Sequence, residues 1–166
     1  MENKQIENTL DLGDMPKEEF RRHGHELVDW IADYFEEMEN LPVLSTNKPN
    51  DLAKALPTSA PEIGEDFSEV IKDLDTLIMP AVTHWSHPNF HGLFSTSTSS
   101  VGIFGEMLTA AFDMKAMLWR TSPASTELEP VVLNWLRKMM GLPDEFDGII
   151  YDTASVSTLH AIALAR

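Results

Sequence analysis

Apolar side chains recur at helical spacing near the start of the chain. Phe20, Leu27, Ile31, Tyr34 and Met38 stand three, four or seven residues apart, which predicts an amphipathic helix over residues 15–40. Asp14 is placed to cap it, Pro16 suits its first turn, and Glu18 and Glu19 favour its positive end. Pro42, Pro49, Pro57 and Pro61 then make residues 41–64 an extended connection. A second stripe, Phe67, Val70, Ile71, Leu74, Leu77 and Ile78, predicts a helix over 65–79 that Pro80 closes. Two helices are too few to bury both stripes. They are expected to lie against another body, either the rest of the chain or a second subunit.

The texture changes at Ala81. Residues 84–92 are short, aromatic and broken by Pro88 and Gly92, and a Ser/Thr stretch follows from Ser95 to Ser100. A third helix is predicted over 101–113, with Phe104, Leu108, Ala111 and Phe112 inward. Residues 114–122 form a connection. Ser122 as cap and Pro123 in the first turn start a fourth helix, whose apolar face is Leu128, Val131, Val132, Trp135, Leu136 and Met139. Gly141 and Pro143 end it. Residues 148–151 read as a short buried strand, 152–158 as a polar turn, and 159–166 as the opening of another helix. Strand, small-residue turn and helix in that order predict an α/β protein. One strand is not a sheet and two turns of helix are marginal alone, so the 166 residues are expected to be incomplete.

Composition narrows the function classes. An apolar fraction of 43 % suits a folding chain. There is no cysteine, which excludes a disulfide framework and thiolate chemistry and fits a reducing cytosol. The net charge is −15, against a nucleic-acid or anionic-membrane partner, since both need clustered Lys and Arg. No apolar run approaches the ~18 residues of a membrane span. The polar, acidic N-terminus does not resemble a secretory signal. A cytoplasmic protein is expected.

Three places have candidate chemistry. The turn 152–158 is built of small and hydroxyl residues ahead of a helix, so Ala154 and Ser155, with Thr153 and Ser157 nearby, can cradle a phosphate. Ordinary Ser/Thr capping explains the same residues, and the Asp152 carboxylate opposes an anion there. His84, His87 and His91 have metal-like spacing, but Pro88 and Gly92 disfavour the helix that would align them. Core packing or contact with a ligand's polar groups suits them better, and no metal is expected. Trp85, Phe90, Leu93 and Phe94 can line an apolar pocket or form plain core. Lys115 and Arg120 are solvated loop charges or partners for a substrate carboxylate. Glu127 and Glu129 suit the first turns of the fourth helix and receive no acid–base role.

Four segments resemble one family. His87-Pro88-Asn89-Phe90-His91-Gly92-Leu93-Phe94 is similar to the HPxFxxxF segment of the group II pyridoxal-phosphate decarboxylases. Ser122 to Glu129 resembles their SPAxTELE segment, Asn134-Trp135-Leu136 and Met140-Gly141-Leu142-Pro143 follow as in that family, and Thr153 to Leu159 resembles their G-[ST]-A-S-E-A-T turn. The likeness covers 81–166 most strongly and is nearest to aromatic L-amino-acid decarboxylase. It implies a fold type I, α/β, homodimeric enzyme that uses pyridoxal 5'-phosphate to remove carbon dioxide from an L-amino acid. Residues 1–85 would be a helical dimerisation segment, and 86–166 the beginning of the large cofactor-binding domain. The resemblance places Ala154 and Ser155 at the cofactor phosphate. It places Trp85, Leu93, Phe94 and Thr96 in the substrate pocket, and Lys115 and Met117 where the family reaches the partner subunit's site.

The resemblance also implies that the Schiff-base lysine, the acid facing the pyridine nitrogen and the ring-stacking histidine fall beyond Arg166. No catalytic residue is then expected within this segment, and a companion chain is one way to supply them. Four positions depart from the family pattern. Leu93 stands where an aromatic decarboxylase usually has Tyr, Ser95 replaces a Pro, Asp152 replaces a Gly and Val156 replaces an acid. An oxidative aldehyde synthase of the same family, a decarboxylase of acidic amino acids using Lys115 or Arg120, and a non-catalytic helical interaction module are the competing readings.

Overall fold

The first apolar stripe forms helix α1, Lys17–Glu36. The computed structural model describes residues 15–94 and 98–166, so the expected cap Asp14 lies outside the described residues. The carbonyl of Pro16 accepts the Phe20 N–H at 2.9 Å, and Glu18 and Glu19 sit in the first turn, where acids complement the helix dipole. The inward face is His23, Leu27, Trp30, Ile31 and Tyr34 rather than one that begins at Phe20, which is 67 % exposed; the helix stops short of the expected residue 40, and Met38 is buried from a separate 3-10 turn, Met38–Asn40. His23 takes the inner position because its polar edges are satisfied on the helix itself. The Arg22 guanidinium, which can only donate, is 3.0 Å from Nε2, so Nδ1–H donates to Glu26 at 2.8 Å. Its ring face packs on Phe67 with centroids 4.7 Å apart.

The connection 41–64 holds one element that the prolines concealed, a short helix α2 at Asp51–Ala55. Asn50 adopts φ 72°, a left-handed conformation that Asn tolerates better than most residues. The Asp51 carboxylate accepts the Lys48 N–H at 2.8 Å and closes the turn. The second stripe forms α3, Phe67–Asp73, capped by the Asp66 carboxylate, which accepts from Ser68 N–H at 2.9 Å. It continues as a wider π turn over Leu74–Ile78 and a 3-10 turn over Met79–Ala81. Two local causes act there. Thr76 Oγ1 donates to the Lys72 carbonyl at 3.0 Å, and Pro80 has no N–H to continue an α-helical ladder. Trp30 Nε1–H donates to Asp75 at 2.8 Å and joins this stretch to α1. These elements belong to one unit, which ends at Ser97.

The second unit runs from Thr98 to Arg166 and contains α4 (Ser100–Ala111), α5 (Pro123–Met139) and α6 (Ala154–Ala165). Ser99 caps α4 by accepting the Gly102 N–H at 3.0 Å. Ser122 precedes α5 and Pro123 opens it, as predicted, although the Ser122 hydroxyl bonds Ser125 Oγ rather than a backbone N–H. Gly141, at φ 68°, follows the end of α5 in the left-handed region. The expected inward faces are not buried. Phe104, Leu108 and Phe112 on or beside α4, and Leu128, Val131, Trp135, Leu136 and Met139 on α5, are all exposed. Periodicity shows which face is apolar, whereas burial needs a second layer over that face.

The predicted strand at residues 148–151 does not form, and no strand occurs among the described residues. Ile149 and Ile150 are exposed, and the Ile150 N–H donates to the Glu129 carboxylate at 3.0 Å. A ladder needs a neighbouring strand's backbone; here a side chain takes the donor instead. Helix α6 begins five residues earlier than predicted. Thr153 Oγ1 accepts the Val156 N–H at 3.2 Å and its carbonyl accepts the Ser157 N–H at 3.1 Å, which turns the small-residue segment into the first turns of a helix.

Candidate functional site

The α6 N-terminus carries the residues that the sequence offers for a phosphate, Ala154 and Ser155. An α-helix leaves its first N–H groups without intrahelical acceptors. At α6 the Thr153 hydroxyl takes the Val156 N–H. Among the described residues no acceptor meets the amides of Ala154 and Ser155, both residues are exposed, and their own side chains are no larger than a hydroxymethyl. Together with the Ser155 hydroxyl and the positive end of a 12-residue helix, these groups suit a phosphate. Asp152, also exposed, is the one opposing charge that the sequence brings to this turn.

Two contacts that sequence reasoning missed hold the approach to this turn. Glu129, half-buried on α5, receives the Ile150 N–H. The Tyr151 hydroxyl hydrogen-bonds His160 Nδ1, with the rings edge to face at 4.7 Å. Residues before and within α6 are thus tied on both sides of the Ala154 and Ser155 amides. A Glu in an early turn of a helix signals dipole complementarity, and nothing in the spacing of Glu129 and Ile150 signals the contact between them. Farther back, Arg137 bonds Asn134 and pairs with Asp144, and that hydrogen bond and charge hold the Asp144 carboxyl below its usual range.

The first unit carries the proposed substrate wall. His84 and His87 are buried, at 1 % and 5 % exposure. His84 shares a 2.9 Å hydrogen bond with the Tyr34 hydroxyl, and its N–H donates to the Val43 carbonyl at 3.1 Å. His87 Nδ1 accepts the Asn89 N–H at 3.0 Å. These histidines are therefore core groups, and among the described residues no cluster of three or more His, Cys, Asp or Glu is arranged to hold a metal. Burial, with a smaller contribution from His87, holds the His84 imidazole below its ordinary value of 6.5, and burial pushes the Tyr34 phenol up. Trp85 points outward and packs against Phe90 at 5.0 Å between centroids. Trp85, Leu93 and Phe94 are exposed and Phe90 is half-buried. Thr96 lies outside the described residues.

Lys115 and Met117 lie between α4 and α5 and are both exposed; Lys115 pairs with Asp113. Arg120 is exposed, while Trp119 beside it donates its indole N–H to Glu127. Two open grooves, one lined by Leu133, Arg137, Met140 and Phe146 and one by Ser45, Lys48, Leu52 and Leu56, contain none of the sequence-predicted site residues.

The pattern of the family described as "Pyridoxal-dependent decarboxylase conserved domain" matches residues 49–166, and the chain belongs to that family. It is 42 % identical over 161 residues to tyrosine decarboxylase 2 of Narcissus pseudonarcissus, covering 93 % of this chain and 32 % of that protein. It is 41 % identical over 161 residues to a phenylacetaldehyde synthase of Arabidopsis thaliana, covering 93 % of this chain and 33 % of that protein. The crystal structure of Catharanthus roseus tryptophan decarboxylase in complex with L-tryptophan superposes with a TM-score of 0.83 at 40 % identity, covering 89 % of this chain and 33 % of that one. The chain therefore spans about a third of the length of the relatives it matches. The fold is the fold type I decarboxylase fold over that third.

Proposed function

We propose that the protein is a pyridoxal-phosphate-dependent carboxy-lyase that converts an aromatic L-amino acid to its amine, with Ala154 and Ser155 holding the cofactor phosphate. The observation that carries this reading is the open pair of amides at the α6 N-terminus, reached through a turn of small residues. When bound, the cofactor supplies an electron sink for the pair left as carbon dioxide departs. The chain's own residues position it. Ala154 and Ser155 donate backbone N–H groups, and Ser155 adds its hydroxyl. Thr153 keeps the first turn closed by accepting from Val156, so the two donors are preset before the anion arrives.

Trp85, Leu93 and Phe94 form the apolar wall that receives a flat side chain, and Thr96, outside the described residues, is assigned to the same pocket by the resemblance alone. The names of the matched relatives, tyrosine and tryptophan decarboxylases among them, support an aromatic substrate. Lys115 and Met117 extend toward the partner subunit's site in a homodimer, whose helical segment is residues 1–85 and whose cofactor-binding domain begins at 86. The cytoplasm is the proposed compartment, and among the described residues no helix is long and apolar enough to cross a membrane.

A second reading, oxidative aldehyde synthesis, is favoured by the 41 % identity to a phenylacetaldehyde synthase. Product analysis with tyrosine, tryptophan, phenylalanine, glutamate and aspartate separates the readings. Amine and carbon dioxide without oxygen uptake support the decarboxylase. Aldehyde, ammonia and hydrogen peroxide with oxygen uptake support the synthase. A preference for glutamate or aspartate overturns the aromatic assignment.

A further inference from the structure

The segment that carries Trp85 is held from below by groups that have no role in the chemistry proposed above. We infer that the Tyr34–His84 hydrogen bond is a positioning latch, which sets the place of residues 84–90 and through them the Trp85–Phe90 face offered to the substrate. The inference rests on the proposed role of Trp85 as a substrate wall.

His84 and Trp85, adjacent in this segment, face opposite ways. His84 is 1 % exposed and Trp85 is 45 % exposed. Fixing His84 in the interior therefore fixes the direction in which Trp85 leaves the surface. Three contacts fix it: Tyr34 Oη at 2.9 Å from Nδ1, the Val43 carbonyl at 3.1 Å from the backbone N–H, and the tilted Tyr34 ring with centroids 5.6 Å away. Tyr34 is itself braced, since its ring stacks on Trp30 at 5.8 Å with 4° between planes, and Trp30 is bonded to Asp75.

Beyond His84 the chain is closed by its own turns. The His87 N–H donates to the His84 carbonyl at 3.0 Å, the Phe90 N–H donates to the His87 carbonyl at 2.9 Å, and His87 Nδ1 accepts from Asn89 at 3.0 Å. Residues 84–90 thus form consecutive hydrogen-bonded turns, and their side-chain bond to α1 runs through His84. The Phe90 ring in turn supports Trp85 at 5.0 Å. The groups facing the His84 ring are Tyr34 on α1 and His87 on its own segment, with Asp75 one step away through Trp30.

The test uses the full-length enzyme with cofactor and three variants. Tyr34→Phe keeps the ring and deletes the hydroxyl. His84→Leu deletes the imidazole partner of the Tyr34 hydroxyl. His84→Asn leaves a polar side-chain atom near the place of Nδ1 and can still bond Tyr34. Two readouts are taken: amide hydrogen exchange along the chain, and KM and kcat for the preferred amino acid. The latch requires faster exchange at residues 84–90 in Tyr34→Phe and His84→Leu, with α5 and α6 unchanged. It further requires KM raised roughly tenfold, kcat held within about twofold, and substantial recovery in His84→Asn; a tenfold change matches the net worth of one hydrogen bond.

Unchanged exchange at 84–90 in Tyr34→Phe overturns the latch. Faster exchange spread evenly over residues 15–94 also overturns it, because the bond would then serve general stability only. Localised exchange with unchanged KM overturns the link to substrate. If the wild type decarboxylates no aromatic amino acid, the function proposed above falls and the substrate part of the latch falls with it. The exchange data still decide whether Tyr34 holds the segment.

Discussion

Replacing Ser155 tests the phosphate assignment most directly. Ser155 sits in the first turn of α6, exposed, and its hydroxyl has no partner among the described residues. Ser155→Ala therefore breaks no intramolecular hydrogen bond, and Ala is at least as good a helix former, so thermal stability should hold or rise slightly. Cofactor binding should respond differently. A hydrogen bond to a charged group contributes about 1.5–3 kcal/mol, so losing the hydroxyl while keeping the backbone N–H should weaken pyridoxal phosphate binding about ten- to a hundredfold. Ser155→Asp should weaken it further, because a second carboxylate would join Asp152 beside a dianion in a turn exposed to solvent. The assay is titration of the cofactor-free, full-length protein with pyridoxal phosphate, followed by absorbance, and repeated with pyridoxal lacking the phosphate. The variants should differ from wild type for the phosphorylated ligand and match it for the unphosphorylated one. Wild-type affinity in Ser155→Asp would refute the reasoning, since no dianion held by these amides could tolerate that neighbour.

Further outcomes follow from the same geometry. Thr153→Val removes the cap on Val156 N–H and should destabilise α6 by about 1 kcal/mol; amide exchange at residues 154–158 should quicken, and unchanged exchange would show that the cap contributes nothing. Asp152→Asn removes the opposing carboxylate and should tighten cofactor binding severalfold at low salt, with the gain shrinking as ionic strength rises; weaker binding would mean that Asp152 serves the site rather than opposing it. His84, held below its ordinary 6.5 by burial, binds protons more readily when unfolded than when folded. Its contribution to stability is complete above pH 6.5 and is lost as pH falls through the folded value. Denaturant melts of wild type and Tyr34→Phe/His84→Leu between pH 7.5 and 5 should show a shallower acid loss in the double variant, and identical slopes would assign the acid sensitivity elsewhere.

Much of the helical content was legible from spacing. The stripe from Leu27 to Met38, the proline start of α5 at Pro123 and the glycine stop at Gly141 each rest on local rules, because a few consecutive residues satisfy one another's hydrogen bonds and backbone preferences. The same locality explains α6: the small and hydroxyl residues of a helix start were visible at 153–158, while the start was placed late because small residues also suit a turn. The family was legible because four segments stand in its order and close spacing along the chain, within the residues 49–166 that its pattern matches. Tertiary structure alone decided which polar groups hold distant segments in place. Tyr34 meets His84 across 50 positions, Trp30 meets Asp75 across 45, and Glu129 meets Ile150 across 21. No periodicity couples such pairs, because each bond exists only after helices have packed and loops have closed. The exchange of Phe20 for His23 on the inner face of α1 has the same cause. Hydrophobicity ranks Phe20 first, but the residue that is buried is the one whose polar edges find partners and whose ring finds Phe67.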